Sequence, residues 1–241
     1  MSGCVAALHG IGADSRTFDP LKQAMDRPDL LALDMPGFAG EPGLPESFES
    51  LKEWLGTRLP DEPSLLVGHS IGGMLALDFA IDHPGRVAGL VLICTTPAFG
   101  GPDPSFKEAF LKARLSGLNA GKSMRDIAPD MARGYLGEGV SAAVMSLAED
   151  MAAAIPETTF RRVLETLVTF NRRNDLSMVA CPCLIVAGTH DQSAPAKTMA
   201  KMAERLPSAR YVELEAGHGL PLECPETLAS VIGDFRTEFN L

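Results

Sequence analysis

The chain has 241 residues, enough for one large α/β domain with an insertion. Its hydrophobic share of 46% and charged share of 22% are those of a globular protein and exclude disorder. With 21 basic and 31 acidic residues the net charge is −10, so the surface repels phosphate backbones and anionic lipid, and neither nucleic acid nor a membrane is expected as a partner.

In chain order, short apolar runs recur, each ending in Gly, Asp or His: CVAALHG (4–10), DLLALDMPG (29–37), PSLLVGHS (63–70), GLVLICTTP (89–97), CLIVAGTHD (183–191) and RYVELEAGH (210–218). Their hydrophobicity is continuous, which predicts strands buried on both faces. Helical patterns lie between them, at FESLKEWLGTRL (48–59), GGMLALDFAIDH (72–83), APAKTMAKMAERL (194–206) and PETLASVIGDFRTEF (225–239). Strand alternating with helix predicts an α/β fold with a mostly parallel, doubly wound sheet. From Ala98 to Phe170 no strand-like run appears, only amphipathic segments. Residues 98–170 are therefore read as a helical cap inserted into a core of residues 1–97 and 171–241. Met124, Met131, Met145 and Met151 on these segments fit helix packing or a flexible pocket lining.

The N-terminal MSGCVAALHG lacks the basic region and the long apolar run of a signal peptide or membrane span. The five cysteines are scattered, and Cys181-Pro182-Cys183 has no second ligand pair at zinc spacing. These features predict a reduced, cytoplasmic protein with no metal site, and Cys94 and Cys183 as small core residues.

Gly68-His69-Ser70-Ile71-Gly72 matches G-x-S-x-G directly after a strand and directly before a helix. A nucleophile raised on so sharp a turn needs glycine on both sides, and its place at a helix start turns the Ile71 N–H toward a developing oxyanion. A helix N-cap serine would give the same local signal. Serine also needs a base and the base an orienting acid. Asp191 and His218 each close a strand-like run, in the order Ser, Asp, His. After the first strand His9-Gly10-Ile11-Gly12 offers bare backbone, with the Ile11 N–H as second oxyanion donor.

Competing groups read more weakly. His9 reads as a loop-shaping residue, His69 as a structural residue pointing away from the nucleophile, and His83 as a surface or capping residue. His190 adjoins Asp191 but lacks a partner acid, and Asp34 belongs to the turn chemistry of DMPG. Arg16, Arg114, Arg125 and Arg133 read as solvated helix-face charges before they read as ligands of a substrate carboxylate.

These blocks together resemble the α/β-hydrolase fold enzymes that carry a helical cap, over nearly the whole chain. LHGIGADSRTFDPL is similar to the family's oxyanion loop and following helix, LALDMPGFAG to its D-x-P-G-x-G turn, and LLVGHSIGG to its nucleophile elbow. DHPGRVAGLVLICT, PCLIVAGTHDQSAP and LEAGHGLPLECPETL are similar to its last three core blocks. Within the family the resemblance runs to lactonases and small-ester esterases, 3-oxoadipate enol-lactonase and pimeloyl-carrier-protein methyl esterase among them. It implies a cofactor-free serine hydrolase acting on a small-molecule ester or lactone. The same scaffold hosts C–C bond hydrolases, lyases, acyl transferases and ligand sensors. Two departures stand out. Family members carry a β-hairpin before the oxyanion strand, whereas here that strand begins near Cys4, which implies about six strands and an edge that a second subunit, in a homodimer, would cover. Ala39 also replaces a glycine of the D-x-P-G-x-G turn.

Overall fold

The computed structural model describes residues 3–27, 29–101 and 104–241. In chain order the elements are β1 (Val5–Leu8), α1 (Asp19–Ala24), β2 (Leu31–Leu33), α2 (Phe48–Arg58), β3 (Ser64–His69), α3 (Ile71–Asp82), β4 (Val87–Ile93), α4 (Pro104–Asn119), α5 (Met124–Tyr135), α6 (Ala142–Ala154), α7 (Glu157–Leu167), β5 (Cys183–Gly188), α8 (Ala196–Ala203), β6 (Ala209–Leu214), α9 (Leu220–Glu223) and α10 (Pro225–Phe239). The six strands form one sheet in the order β2-β1-β3-β4-β5-β6, and every pairing is parallel. All six strand-like runs of the sequence are strands.

The continuous apolar runs exist because both faces of the sheet are covered. Alternate residues of each strand go to opposite sides. Ala6, Leu8, Leu66, Leu92 and Ile185 pack with Leu51, Leu55, Leu75, Phe79 and Met199 of α2, α3 and α8. Val5, Ala7, Val67, Val91 and Val186 pack with Leu21 of α1 and Leu228, Ile232 and Phe235 of α10. The edge strands are less buried: β6 has only Leu214 fully inside, and β2 only Leu33. No helix among the described residues is long and apolar enough to cross a membrane.

The chain leaves β1 to build β2 on one side and returns to build β3 on the other. This reversal between β1 and β3 opens a crevice at the carboxyl ends of the strands, where open α/β sheets bind ligands. The segments after β1 and β3 carry Ile11 and Ser70, one on each side of the reversal. Four helices, α4–α7, follow β4 and precede β5. Where the chain comes back from them, Asn171 bridges Ala98, and Arg172 ion-pairs with Asp78 and Asp82 of α3. Lys52 of α2 meets the same two carboxylates, so α2, α3 and the returning chain share one charge network.

The turn between β3 and α3 is the tightest point of the fold. Ser70 has φ 55° and ψ −121°, a conformation that L-residues rarely adopt. A Cβ on Gly68 would stand 2.5 Å from the Gly72 carbonyl oxygen, and one on Gly72 would stand 2.2 Å from the Leu8 carbonyl oxygen. Both contacts are with backbone, which cannot rotate away. Ala39, at the position of a glycine in the turn it resembles, takes the left-handed conformation at φ 45°, between Gly37 and Gly40.

Gly72→Ala should therefore lower the unfolding free energy by about 3 kcal/mol or more, or prevent the protein from accumulating. Gly85→Ala, where the added methyl meets nothing within 4 Å, should stay within ~0.5 kcal/mol. Urea denaturation followed by circular dichroism distinguishes the two, and similar midpoints would refute the clash.

Candidate active site

Ser70 is held from both sides of the turn. Its N–H donates to the Ile93 carbonyl at 3.0 Å, and its carbonyl accepts from the Thr95 hydroxyl at 2.7 Å. The hydroxyl projects into a cavity of about 540 Å³, within the size range of small-molecule sites. Ile11 and Gly12, the residues after β4, and side chains of α4–α7 complete the wall.

His218 and Asp191 reach Ser70 because two loops cross at van der Waals limits. A Cβ on Gly188, at the end of β5, would stand 2.3 Å from the Gly217 carbonyl oxygen. The His190 N–H then donates to the Ala216 carbonyl, stitching the Asp191 loop to the His218 loop. As a result His218 Nε2 lies 3.0 Å from Ser70 Oγ, and His218 Nδ1 lies 2.7 Å from Asp191 Oδ2. The Nδ1–H donates to the carboxylate, which leaves Nε2 free to accept the serine proton.

The Asp191 side chain is fully buried. Burial alone would raise its pKa, but the His218 hydrogen bond and charge and the Ala194 and Ser193 N–H groups outweigh it and hold the carboxyl below its ordinary range. The imidazole thus faces a carboxylate that stays ionised. Neither the Ile11 nor the Ile71 N–H has a hydrogen-bond acceptor among the described residues. Ile71 follows Ser70 along the chain, and Ile11 lines the same cavity as Ser70 from the segment after β1.

His69 does not approach Ser70 with its ring nitrogens. Its Nε2–H donates to the His218 carbonyl at 2.7 Å, and its ring stands 5.0 Å from the His218 ring. Complete burial, and then the neighbouring His218, push its pKa down to about 3, so it is a neutral strut beneath the histidine loop. His9 is equally buried and bridges backbone: Nδ1–H donates to the Gly10 carbonyl while Nε2 accepts the Met35 N–H. Burial lowers its pKa too. Asp34 accepts the N–H and hydroxyl of Ser15, tying β2 to the loop after β1. His83 caps α3 and stacks on Phe79.

Two sequence expectations need correction. His190 does have an acidic partner, Glu215, but the pair is exposed and outside the cavity, since the Asp191 loop turns His190 outward. Arg114 is an exposed helix-face charge of α4 and yet not only that: it also lines the cavity, above the Phe110 ring. Arg16 pairs with Asp14 and Arg133 with Asp130. Of the four methionines, Met131 lines the cavity, Met124 and Met151 are buried in helix packing, and Met145 is half-buried against it.

Tyr135 and Arg173 carried no sequence signal. Tyr135 ends α5, meets the rings of His69 and His218 edge-on, and accepts the Gly219 N–H on its carbonyl at 2.8 Å. Burial raises its phenol pKa, so it stays protonated. As for metals, only His69, Cys94 and His218 bring three ligand atoms together among the described residues, within 4.8 Å. Both His218 nitrogens are already engaged, and burial keeps the Cys94 thiol protonated, so the cluster works through hydrogen bonds.

An Alpha/beta hydrolase family model matches residues 5–231. A pimeloyl-[acyl-carrier protein] methyl ester esterase of Aromatoleum aromaticum is 29% identical, over 94% of this chain and 95% of that protein. Among solved structures, a thermophilic esterase from Thermogutta terrifontis aligns with a TM-score of 0.85 and 23% identity, covering 100% of this chain and 92% of the other. The enol-lactonase from Burkholderia xenovorans LB400 aligns with a TM-score of 0.83 and 23% identity, covering 98% and 92%. The match over most of its length, together with the parallel six-stranded sheet, makes this chain a member of the alpha/beta hydrolase family of enzymes.

Proposed function

We propose that the chain is a cofactor-free serine hydrolase that cleaves a carboxylic ester or lactone of a small molecule. The observation that carries this reading is the pair of contacts at His218, 3.0 Å to Ser70 Oγ and 2.7 Å to Asp191. In the cycle, Ser70 Oγ attacks the carbonyl carbon as His218 Nε2 takes its proton. Asp191 holds the ring in the required tautomer and stabilises the imidazolium. The Ile11 and Ile71 N–H groups receive the oxyanion, each worth ~3 kcal/mol of barrier on typical deletion. His218 then returns the proton to the departing alcohol oxygen, and an acyl-enzyme remains. Water, deprotonated by His218, attacks the acyl carbon and releases the acid with Ser70 restored.

Residues 98–170 act in this reading as a cap. Their helices supply Phe106, Phe110, Met131, Phe160 and Leu164 to the cavity, an apolar lining suited to an acyl or alkyl chain. The relatives' printed names, a methyl ester esterase and an enol-lactonase, point the same way.

Release of p-nitrophenol from esters graded from acetate to octanoate tests the proposal directly. Wild type should turn over the shorter esters with a clear chain-length optimum. Ser70→Ala should lower kcat by at least about a thousandfold. Equal rates in the two proteins would reject the nucleophile.

The acid limb of any activity profile must be separated from unfolding, because His69 is buried neutral. Below its ordinary pKa of 6.5 the unfolded chain protonates this histidine while the folded one resists until about pH 3. The unfolded state therefore binds more protons, and stability falls as pH falls across that window, by up to ~1.4 kcal/mol per pH unit. His69→Gln should flatten this decline in urea midpoints measured from about pH 7 to about pH 4.5. An unaltered slope would mean that His69 is not the group responsible.

A further inference from the structure

The cavity has a charge pattern at odds with the rest of the molecule. The chain carries 31 acidic and 21 basic residues, yet none of the described residues lining the cavity is Asp or Glu, and two are arginines, Arg114 and Arg173. Arg114 reaches in from α4 over the Phe110 ring, at 5.4 Å from its centroid. Arg173 follows the Ala98–Asn171 bridge and donates an Nη2–H to the Gly100 carbonyl at 2.7 Å. Neither has a carboxylate within ion-pair distance among the described residues. The neighbouring residue shows the contrast: Arg172 faces outward and meets Asp78, Asp82 and Asp175.

Arg114 is exposed overall, yet its guanidinium lies over the Phe110 ring of the cavity wall, and partial desolvation there lowers its pKa. Charges placed only for solubility would have carboxylates nearby in a chain this acidic. These two instead share a wall with Phe99, Phe106 and Phe110, in the same cavity as Ser70.

We propose that Arg114 and Arg173 form an anion subsite, and that the ester or lactone opened at Ser70 carries a carboxylate at the end of a short apolar chain. The planar guanidinium fork matches a carboxylate in two-point hydrogen bonding, and with no Asp or Glu among the described lining residues both arginines can serve the ligand. The aromatic side chains that line the cavity together with both arginines and Ser70 suit the methylenes linking the two ends. A second carboxylate also sets the reaction's products: the released acid is a dicarboxylic acid or, from a lactone, a hydroxy-dicarboxylic acid. The subsite's link to hydrolysis rests on reading Ser70 as the nucleophile, whereas its anion affinity does not.

The experiment has two arms. In the first, isothermal titration measures binding of monomethyl glutarate to Ser70→Ala protein, alone and with Arg114→Gln or Arg173→Gln added. Each arginine change should weaken binding about tenfold or more, and added salt should weaken it in the parent but little in the double arginine variant. In the second, kcat/KM for monomethyl glutarate is divided by that for methyl pentanoate, with Ser70 intact. This ratio should fall about tenfold in each arginine variant. Arginine-dependent binding without turnover of either ester would uphold the subsite and overturn the hydrolase reading. Ser70-dependent turnover with an unchanged ratio would overturn the subsite and leave the hydrolase reading intact. Absent binding, or binding indifferent to both arginines, would also overturn the subsite. Should loss of the Gly100 contact unfold Arg173→Gln, Arg114→Gln decides, because that side chain holds no backbone group.

Discussion

The close passage of α3 against the end of β1 is the constraint on which the rest of the site depends. With no side chain at Gly72, the helix start can rest on the Leu8 and His9 carbonyls. That contact brings the loop after β1 beside the turn after β3. Ser70 is driven into its rare backbone conformation in consequence, a strain of order 1–3 kcal/mol that the surrounding sheet must hold. The same geometry leaves the Ile71 N–H, first of the helix, without an acceptor among the described residues, with Ile11 lining the same cavity. The position of Ser70, its strain and the proposed oxyanion donors are thus one packing decision rather than three.

A second close passage, Gly188 against Gly217, does for His218 and Asp191 what the first does for Ser70. The two passages are joined by His69. It sits one residue before Ser70 and hydrogen-bonds the carbonyl of His218, so the turn that raises the serine also carries a strut under the histidine loop. A charged strut would set a cation ring to ring against His218. Burial prevents this by keeping His69 neutral, at the cost of acid stability.

The sheet was legible in the sequence because both faces are covered, which leaves an unbroken apolar run at every strand. Ser70, Asp191 and His218 were legible because each ends such a run, and strand ends converge on one rim of a parallel sheet. What was not legible depends on distant chain segments meeting. His190 was read as lacking an acid because Glu215 lies a whole helix and strand away in sequence. Arg114 looked like one more polar position on α4, since the cavity it lines is assembled from segments far apart in sequence, residues 97–100 and Arg173 among them. Arg173 stands next to Arg172 in an Asn-Arg-Arg-Asn run, and no pattern separates the structural arginine from the one lining the cavity. Tyr135 closes a helix like many tyrosines, and its edge-on contact with His218 is set by the Gly219 hydrogen bond.

That hydrogen bond couples the helices after β4 to the chemistry. The Tyr135 carbonyl takes the Gly219 N–H, and the next turn of chain lays Gly137 against Gly217, where a Cβ would meet backbone at 3.1 Å. The segment that shapes the cavity therefore also fixes the loop that carries His218. Its chemical effect is selective. Tyr135 and Cys94 are both held in their neutral forms by burial, as is His69, so the groups packed against His218 add no competing charge. Among the described residues Asp191 then stands as the one ionised group hydrogen-bonded to the ring, placed to stabilise the imidazolium of the proposed cycle. A ring so constrained keeps Nδ1 on the carboxylate and Nε2 on the serine, the orientation that the proposed proton transfer from Ser70 needs.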